Sequence, residues 1–233
     1  MAIIITILNY LKTRQFEKKL VILNKLPLPI KNIIKEFKLE NKIILFDHND
    51  PLAFCLGIIN PKIFLSTKLV SVLSINEIKS VVLHEQQHAL NKDNFYMMFL
   101  NLIRYTFFFF PITSDLVKNF ELHQEIVADQ SVVKKMKDKS YLISALRKVV
   151  NNVQFNLLST AYFSKKNVLE IRIKKLIGDK SKIRLFDFKN TIVSLGVFLL
   201  MFTFVLGKIE IHPQTNNSDL LCLDKGSCQN SCK

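Results

Sequence analysis

Two histidines and a glutamate lie within five consecutive residues, at His84, Glu85 and His88, in the pattern H-E-x-x-H. On a helix, His84 and His88 are one turn apart, so both imidazoles leave the same face and can bind one Zn²⁺. Glu85 lies beside them, where its carboxylate can accept a proton from a water molecule activated by the metal. An apolar run at 81–83 precedes the motif, and burying these polar side chains without a partner would be costly. The pattern therefore favours a hydrolytic zinc site over a solvated polar patch.

A second acidic pair, Glu125 and Asp129 in the pattern E-x-x-A-D, offers the third protein ligand that a catalytic zinc needs. The two carboxylates are one helical turn apart, so Glu125 can complete the ligand set while Asp129 accepts the second N–H of a ligand histidine. Ala128 is small enough to let the two helices approach each other. Because an acidic pair on a helix is usually only solvated, this prediction rests on the position of the pair downstream of the histidines.

Capping and periodicity predict the elements that must position these residues. Ser74, with Glu77 three residues later, forms a capping box that predicts a helix to about residue 90, and this helix carries the histidines. Apolar spacing predicts strands at 42–47, 53–58 and 63–66, the last two as a hairpin, and helices at 116–137 and 141–163. The predicted fold is α+β: a mainly helical metallopeptidase domain with a small sheet.

The composition is that of a folded protein associated with a membrane. The chain has 33 Lys and Arg against 19 Asp and Glu, a net charge of +14, although 49% of its 233 residues are hydrophobic. This hydrophobic content excludes a disordered protein. Only five of the 33 positive residues are arginine, and no nucleic-acid-binding motif is present, so we predict no direct contact with nucleic acid.

One segment near the C-terminus is predicted to cross the membrane. Residues 191–207 form a run of seventeen residues without a charge, which suits a transmembrane helix. Nine Lys or Arg lie between 164 and 190, and this basic side is expected in the cytoplasm. The tail 208–233 is then expected outside the cell membrane.

Two further apolar segments are not expected to cross. The run 95–113 is interrupted by Arg104 and Pro111, so we predict a re-entrant or in-plane segment associated with the membrane. Residues 1–11 form an apolar stub that is too short to span, and basic amphipathic helices continue to residue 41. The metallopeptidase domain is thus expected over 42–190.

These motifs together resemble the gluzincin membrane metallopeptidases, and most of all the peptidase domain of the BlaR/MecR-type sensor-transducers. Heat-shock and prenyl-protein membrane proteases are similar in the zinc motifs. The resemblance also includes 53–57 (AFCLG), 61–66 (PKIFLS), 92–94 (KDN), the Phe-Pro pair at 110–111, 141–146 and 169–173 (LEIRI), so that it covers roughly residues 42–177.

The resemblance implies a zinc metalloendopeptidase of the bacterial inner membrane whose peptidase domain faces the cytoplasm. In that family pattern the zinc ligands are His84, His88 and Glu125, Glu85 is the general base and Asp129 supports a ligand histidine. An extended protein or peptide substrate would add by main-chain hydrogen bonds to an edge strand formed by Ala53, Phe54, Cys55, Leu56 and Gly57. In the antibiotic-sensing members the substrate is a DNA-binding repressor, which makes a repressor a candidate partner.

Several alternatives stay open at this point. The chain could instead be a quality-control or peptide-processing protease, or an inactive scaffold that binds a partner through the same edge. Family sensors carry several transmembrane helices before the peptidase domain and a penicillin-binding domain after it, whereas this chain has the stub and a 26-residue tail, so we do not expect β-lactam sensing. The group that stabilises the oxyanion is not chosen among Tyr162, Arg172 and His123. In the tail, one disulfide and one further thiol are expected among Cys222, Cys228 and Cys232.

Overall fold

The computed structural model describes residues 1–152, 160–179 and 186–209. The fold is α+β, as predicted, with helices packed around a small sheet. The helices are α1 (Ala2–Lys19), α2 (Leu28–Phe37), α3 (Thr67–Val72), α4 (Ile75–Asn91), α5 (Asp93–Thr106), α6 (Ile112–Met136), α7 (Ser140–Asn152), α8 (Thr160–Ile177) and α9 (Phe188–Ile209). The strands are β1 (Ile22–Leu23), β2 (Ile43–Phe46), β3 (Ala53–Leu56) and β4 (Lys62–Ser66).

The sheet has the strand order β1-β2-β4-β3, which leaves β3 at one edge. β2 and β4 run parallel and the other neighbours are antiparallel, so β3 and β4 form the predicted hairpin. The short β1 was not predicted, because two residues show no periodicity. Gly57, which was expected in the edge strand, lies after β3 with φ of +110°, and a Cβ there would lie 2.7 Å from the carbonyl oxygen of Asn60.

Both faces of the sheet are covered by helices. On one face, Phe54 stacks on Phe64 with ring centroids 5.3 Å apart, and Phe16 of α1 lies 6.0 Å from Phe54. The other face packs against α2, α3 and α4 in the main hydrophobic core, to which the strands contribute Ile43, Leu45, Ile63 and Leu65. Cover on both faces makes the sheet a rigid support for its free edge at β3.

α4 begins with the predicted capping box. The Ser74 N–H donates to Glu77 Oε2 at 2.7 Å, and the Glu77 N–H donates to Ser74 Oγ at 3.5 Å. The side chains of Val82 and Leu83 are buried on one side of α4. α6 also packs against α4, and Ala128 of α6 is fully buried. This packing brings the two sequence motifs together.

Several boundaries differ from the predictions. α6 begins at Ile112 rather than at 116, because Pro111 caps the helix at a position where its missing N–H costs nothing. The run 95–113 is divided, since α5 ends at Thr106. The helix expected over 141–163 is described as α7 up to Asn152, and residues 160–163 belong to α8, while residues 153–159 lie outside the described part. At the N-terminus, the apolar stub and the basic residues that follow it form one continuous helix, α1.

α9 contains the segment predicted to cross the membrane. Within the described residues, Phe188–Leu206 is long and apolar enough to do so by length and composition alone. Its first turns are joined to the start of α6, because Asn190 Nδ2 donates to both oxygens of Asp115, at 3.0 and 2.9 Å, and the Ile112 N–H donates to Ser194 Oγ at 3.1 Å. The predicted tail, with its three cysteines, lies outside the described residues apart from 208 and 209.

Candidate metal site

α4 and α6 bring His84, His88 and Glu125 to one place. The two Nε2 atoms lie 3.1 Å apart, His84 Nε2 lies 3.3 Å from Glu125 Oε2, and His88 Nε2 lies 3.7 Å from Glu125 Oε1. Among the described residues, these three side chains form a group whose ligand atoms all lie within 4.8 Å of one another. The helical spacing of the histidines and the packing of α6 on α4 together create this convergence.

The spacing fits a tetrahedral metal ion. Ligands at the zinc distance of about 2.0–2.1 Å from a tetrahedral centre lie roughly 3.3–3.4 Å from one another. The separations of 3.1, 3.3 and 3.7 Å bracket that value. Two imidazoles and one carboxylate are also a donor set found at catalytic zinc, where a fourth position stays open for water or substrate. The residues present therefore fit Zn²⁺.

Each histidine is backed by a carboxylate. His88 Nδ1 lies 2.6 Å from Asp93 Oδ2, and His84 Nδ1 lies 3.0 Å from Asp129 Oδ1. The first contact is a hydrogen bond, whereas Nδ1 of His84 has no well-aligned partner among the described residues in spite of the short distance. Carboxylates on Nδ1 leave Nε2 of both rings free to face the metal position.

Asp93 is the supporting residue that sequence reasoning missed. It is the first residue of α5, and Lys92 before it has φ of +56°, which ends α4 and turns the chain back towards His88. Sequence spacing alone does not show this return, because it depends on a left-handed backbone conformation at a lysine. An acidic residue five positions after the second histidine was the available signal.

Arg172 of α8 joins the two acidic residues of the E-x-x-A-D motif. Its Nη1 lies 2.7 Å from Glu125 Oε2, while its Nε and Nη2 donate to Asp129 at 2.9 and 2.7 Å. The arginine side chain is 12% exposed.

Three residues were considered for stabilising the oxyanion. Arg172 lies in the site, but its donors are engaged by carboxylates, and His123 is exposed. The side chain of Tyr162 lies outside the described part of the structure.

The electrostatics of the site are those of buried charges in contact. Burial raises the pKa of Glu85, a carboxylate placed for proton transfer. At Glu125, burial acts in the same upward direction, but the contacts with His84 and Arg172 outweigh it and lower the pKa to about 2. Burial disfavours protonation of His84, yet Asp129 and Glu125 outweigh that effect and raise its pKa to about 9. A positive charge is therefore favoured at this position.

A cleft of about 950 Å³ opens onto the site. One wall is the edge strand, through Ala53, Phe54 and Cys55, whereas Leu56 and Gly57 line a neighbouring cavity instead. Gln124 also lines the cleft, and its buried Nε2 has no hydrogen-bond partner among the described residues. The remaining walls come from α4, α5, α6, α7 and α8, and include Glu85, Met97, Glu121, Leu146, Val149 and Ile173. The size and the free strand edge suit an extended peptide.

An adjacent glutamate, a His-His-Glu ligand set and an open cleft define a site with the layout of a single-metal hydrolase. A family model described as BlaR1 peptidase M56 matches residues 1–176. The chain therefore belongs to the BlaR1-type M56 peptidase family, whose members are membrane-associated metallopeptidases.

Two regulatory proteins show the same relationship. The chain is 28% identical over 214 residues to the regulatory protein BlaR1 of Bacillus licheniformis, an alignment that covers 88% of this chain and 34% of the relative. It is 29% identical over 139 residues to the regulatory protein BlaR1 of Staphylococcus aureus, covering 57% of this chain and 22% of the relative. The chain thus spans about a third of the length of the Bacillus protein.

Proposed function

We propose that this protein is a zinc metalloendopeptidase that hydrolyses peptide bonds of a cytoplasmic or membrane-proximal protein. The observation that carries the proposal is the convergence of His84, His88 and Glu125 at zinc-ligand spacing beside a buried Glu85. The M56 family membership supports the same class of reaction.

His84, His88 and Glu125 would hold the metal, which supplies Lewis-acid polarisation of the scissile carbonyl and lowers the pKa of a water molecule. Glu85 accepts the proton of the attacking water and then donates it to the leaving amine. Asp93 and Asp129 hold the ligand histidines in orientation. Arg172 fixes the two carboxylates of α6 relative to each other, so that Glu125 keeps its place in the ligand set.

The proposed membrane arrangement has α9 as the crossing helix, covering the predicted span 191–207. The peptidase domain, 42–190, lies on the cytoplasmic side together with residues 1–41, and 208–233 lies outside. The run 95–113 is re-entrant or lies in the membrane plane, packed on the peptidase domain, because His88 and Glu125 flank this segment in the chain and lie 3.7 Å apart. Cysteine labelling tests this arrangement: Asn91→Cys and Asn119→Cys should both react only from the cytoplasm, and Ser218→Cys from outside.

The substrate is proposed to be a protein in a signalling pathway, and a transcriptional repressor is the favoured candidate. Support comes from the two relatives, both named as regulatory proteins, and from the open strand edge, which suits main-chain recognition of an extended segment.

The full chain purified in detergent should contain one zinc per molecule and should cleave peptides in a digest of bacterial cell protein. Glu85→Gln should keep the zinc and lose cleavage, since Gln cannot accept the proton, with a rate loss of about 10²–10⁴-fold. Metal analysis and mass spectrometry of the products measure both results. Zinc-free protein, or equal cleavage by Glu85→Gln, would refute the proposed function.

A further inference from the structure

The free edge of β3 presents only part of its main chain to the cleft. The C=O of Leu52 accepts a hydrogen bond from the Ser66 N–H at 2.9 Å, so residue 52 faces β4. In an antiparallel strand the main-chain groups of successive residues point to opposite sides. The N–H and C=O groups of Ala53 and Cys55 therefore point away from β4, towards the open edge.

A side chain of the protein itself occupies this edge. Asn94, in the first turn of α5, donates from its Nδ2 to the C=O of Cys55 at 3.0 Å and to the C=O of Gly57 at 3.2 Å. These contacts agree with the outward direction of both carbonyl groups. Within the part of the chain that the structure describes, the open edge that remains consists of the N–H and C=O of Ala53 and the N–H of Cys55.

Asn94 also separates two cavities. It lines the cleft of the metal site and, on its other side, a cavity of about 260 Å³ between α1 and α5 that Gly57 and Asn101 also line. This boundary belongs to the proposed reaction site, because Cys55, whose C=O Asn94 holds, lines the same cleft as Glu85 and His88.

We propose that Asn94 ends the substrate-binding edge of β3 at Cys55, so that a bound peptide leaves the sheet there. The proposal rests on the proposed peptidase function. In antiparallel pairing, the more stable arrangement, one substrate residue exchanges two hydrogen bonds with Ala53. The substrate residue two positions earlier would donate its N–H to the C=O of Cys55, but Asn94 holds that acceptor. The side-chain amide of Asn94 thereby limits how far the N-terminal side of the substrate can pair with β3.

A scan of backbone N-methylation measures the extent of this pairing. The probe is a fluorescein-labelled ten-residue peptide taken from a site cleaved in the digest of cell protein, with a series that carries one N-methyl group at each position in turn. Binding is measured by fluorescence anisotropy to the zinc-loaded Glu85→Gln chain, which does not cleave it. Asn94→Ala in that background should make one new position sensitive, two residues before a position that is already sensitive. The expected loss there is about threefold to tenfold, the value of one net hydrogen bond.

Asn101→Ala is the matched control. Asn101 lies on the same helix and lines the same small cavity, but its Nδ2 donates to Met97 within α5. This variant should leave the methylation pattern unchanged. Asn94→Ser, whose hydroxyl is too short to reach both carbonyl groups, should reproduce the Asn94→Ala pattern if the alanine variant folds poorly.

The outcomes are distinct. If N-methylation at both positions already weakens binding while Asn94 is present, the proposal is overturned. It is also overturned if neither Asn94 variant gains a sensitive position. The peptidase function stands in both cases. Absence of any Glu85-dependent cleavage in the digest would refute the proposed function and this inference with it.

Discussion

The two ends of α4 bury acidic side chains under opposite conditions. At the N-terminal end, the carboxylate of Glu77 is 6% exposed, receives a hydrogen bond from the Ser144 hydroxyl, and is paired with Lys148 Nζ at 2.8 Å. At the C-terminal end, four carboxylates, those of Glu85, Asp93, Glu125 and Asp129, surround two histidines. Among the described side chains, the fixed cation paired with them is the guanidinium of Arg172.

The difference lies in the balance of charge. One carboxylate faces one ammonium group around Glu77, so the cluster is complete within the protein. At the other end the acidic groups outnumber the fixed cation, and buried charge is costly unless it is compensated. A divalent cation would supply that compensation. Of two buried polar clusters on one helix, the balanced one is structural and the unbalanced one is the candidate site.

The strongest test of this contrast exchanges the acid for an amide at each end. Glu125→Gln should weaken zinc binding by more than the roughly 10–100-fold that is typical of supporting residues, because a charged ligand is lost. Glu77→Gln should leave zinc affinity unchanged. Competition with a chromophoric chelator measures both affinities, and full affinity in Glu125→Gln would remove Glu125 from the ligand set.

Neutralising the carboxylates that support the ligand histidines, Asp93 and Asp129, should have a smaller effect on zinc binding. Asp93→Asn and Asp129→Asn should each lower zinc affinity or activity by about 10–100-fold, because the ligand histidine loses its charged partner. Asp138→Asn is the control, since that carboxylate contacts only Ser140, the first residue of α7, among the hydrogen bonds described. An unchanged affinity in Asp93→Asn would show that its contact with His88 has no role in binding metal.

The N-terminal cluster should instead matter for stability. Glu77→Gln should lower the free energy of unfolding of the metal-free chain by about 1–3 kcal/mol, because Lys148 loses its charged acceptor. Glu85→Gln should cost less, since burial already disfavours the charge of that carboxylate. Thermal unfolding in detergent, followed by circular dichroism, compares the two variants, and an equal loss would contradict the contrast.

The same pair predicts a pH dependence in acid. Burial favours the neutral form of Glu77, but the hydrogen bonds from Lys148 and Ser144 outweigh it and lower the pKa from 4.5 to about 2. Because the pKa of the folded state is the lower one, the stabilisation is fully present above pH 4.5 and is lost as the pH falls towards 2. The difference in unfolding free energy between the native chain and Glu77→Gln should therefore shrink over this range. A constant difference would show that protonation of Glu77 does not change the stability.

Local rules account for what sequence alone could predict. The capping box at Ser74 and Glu77 and the one-turn spacing of His84 and His88 depend on residues within four positions of one another, and the structure has the predicted helix. The β3–β4 hairpin was likewise predicted from adjacent residues. Helix ends were less well predicted, because the start of α6 depends on a proline that also ends the preceding turn.

Only the tertiary structure decided how distant residues share the site. Asp93 reaches His88 through a left-handed Lys92, Arg172 comes from a helix 43 residues beyond Asp129, and Asn94 reaches across to the edge of β3. Arginine and asparagine are common surface residues, so their types and positions carry no mark of these roles, and for Asp93 the sequence offered only its position five residues after the second histidine. The sequence by itself determined the metal-ligand pattern, because that pattern is local to two helices. The packing of α5 and α8 on those helices determined the supporting charges and the limit of the substrate edge, because these depend on long-range contacts.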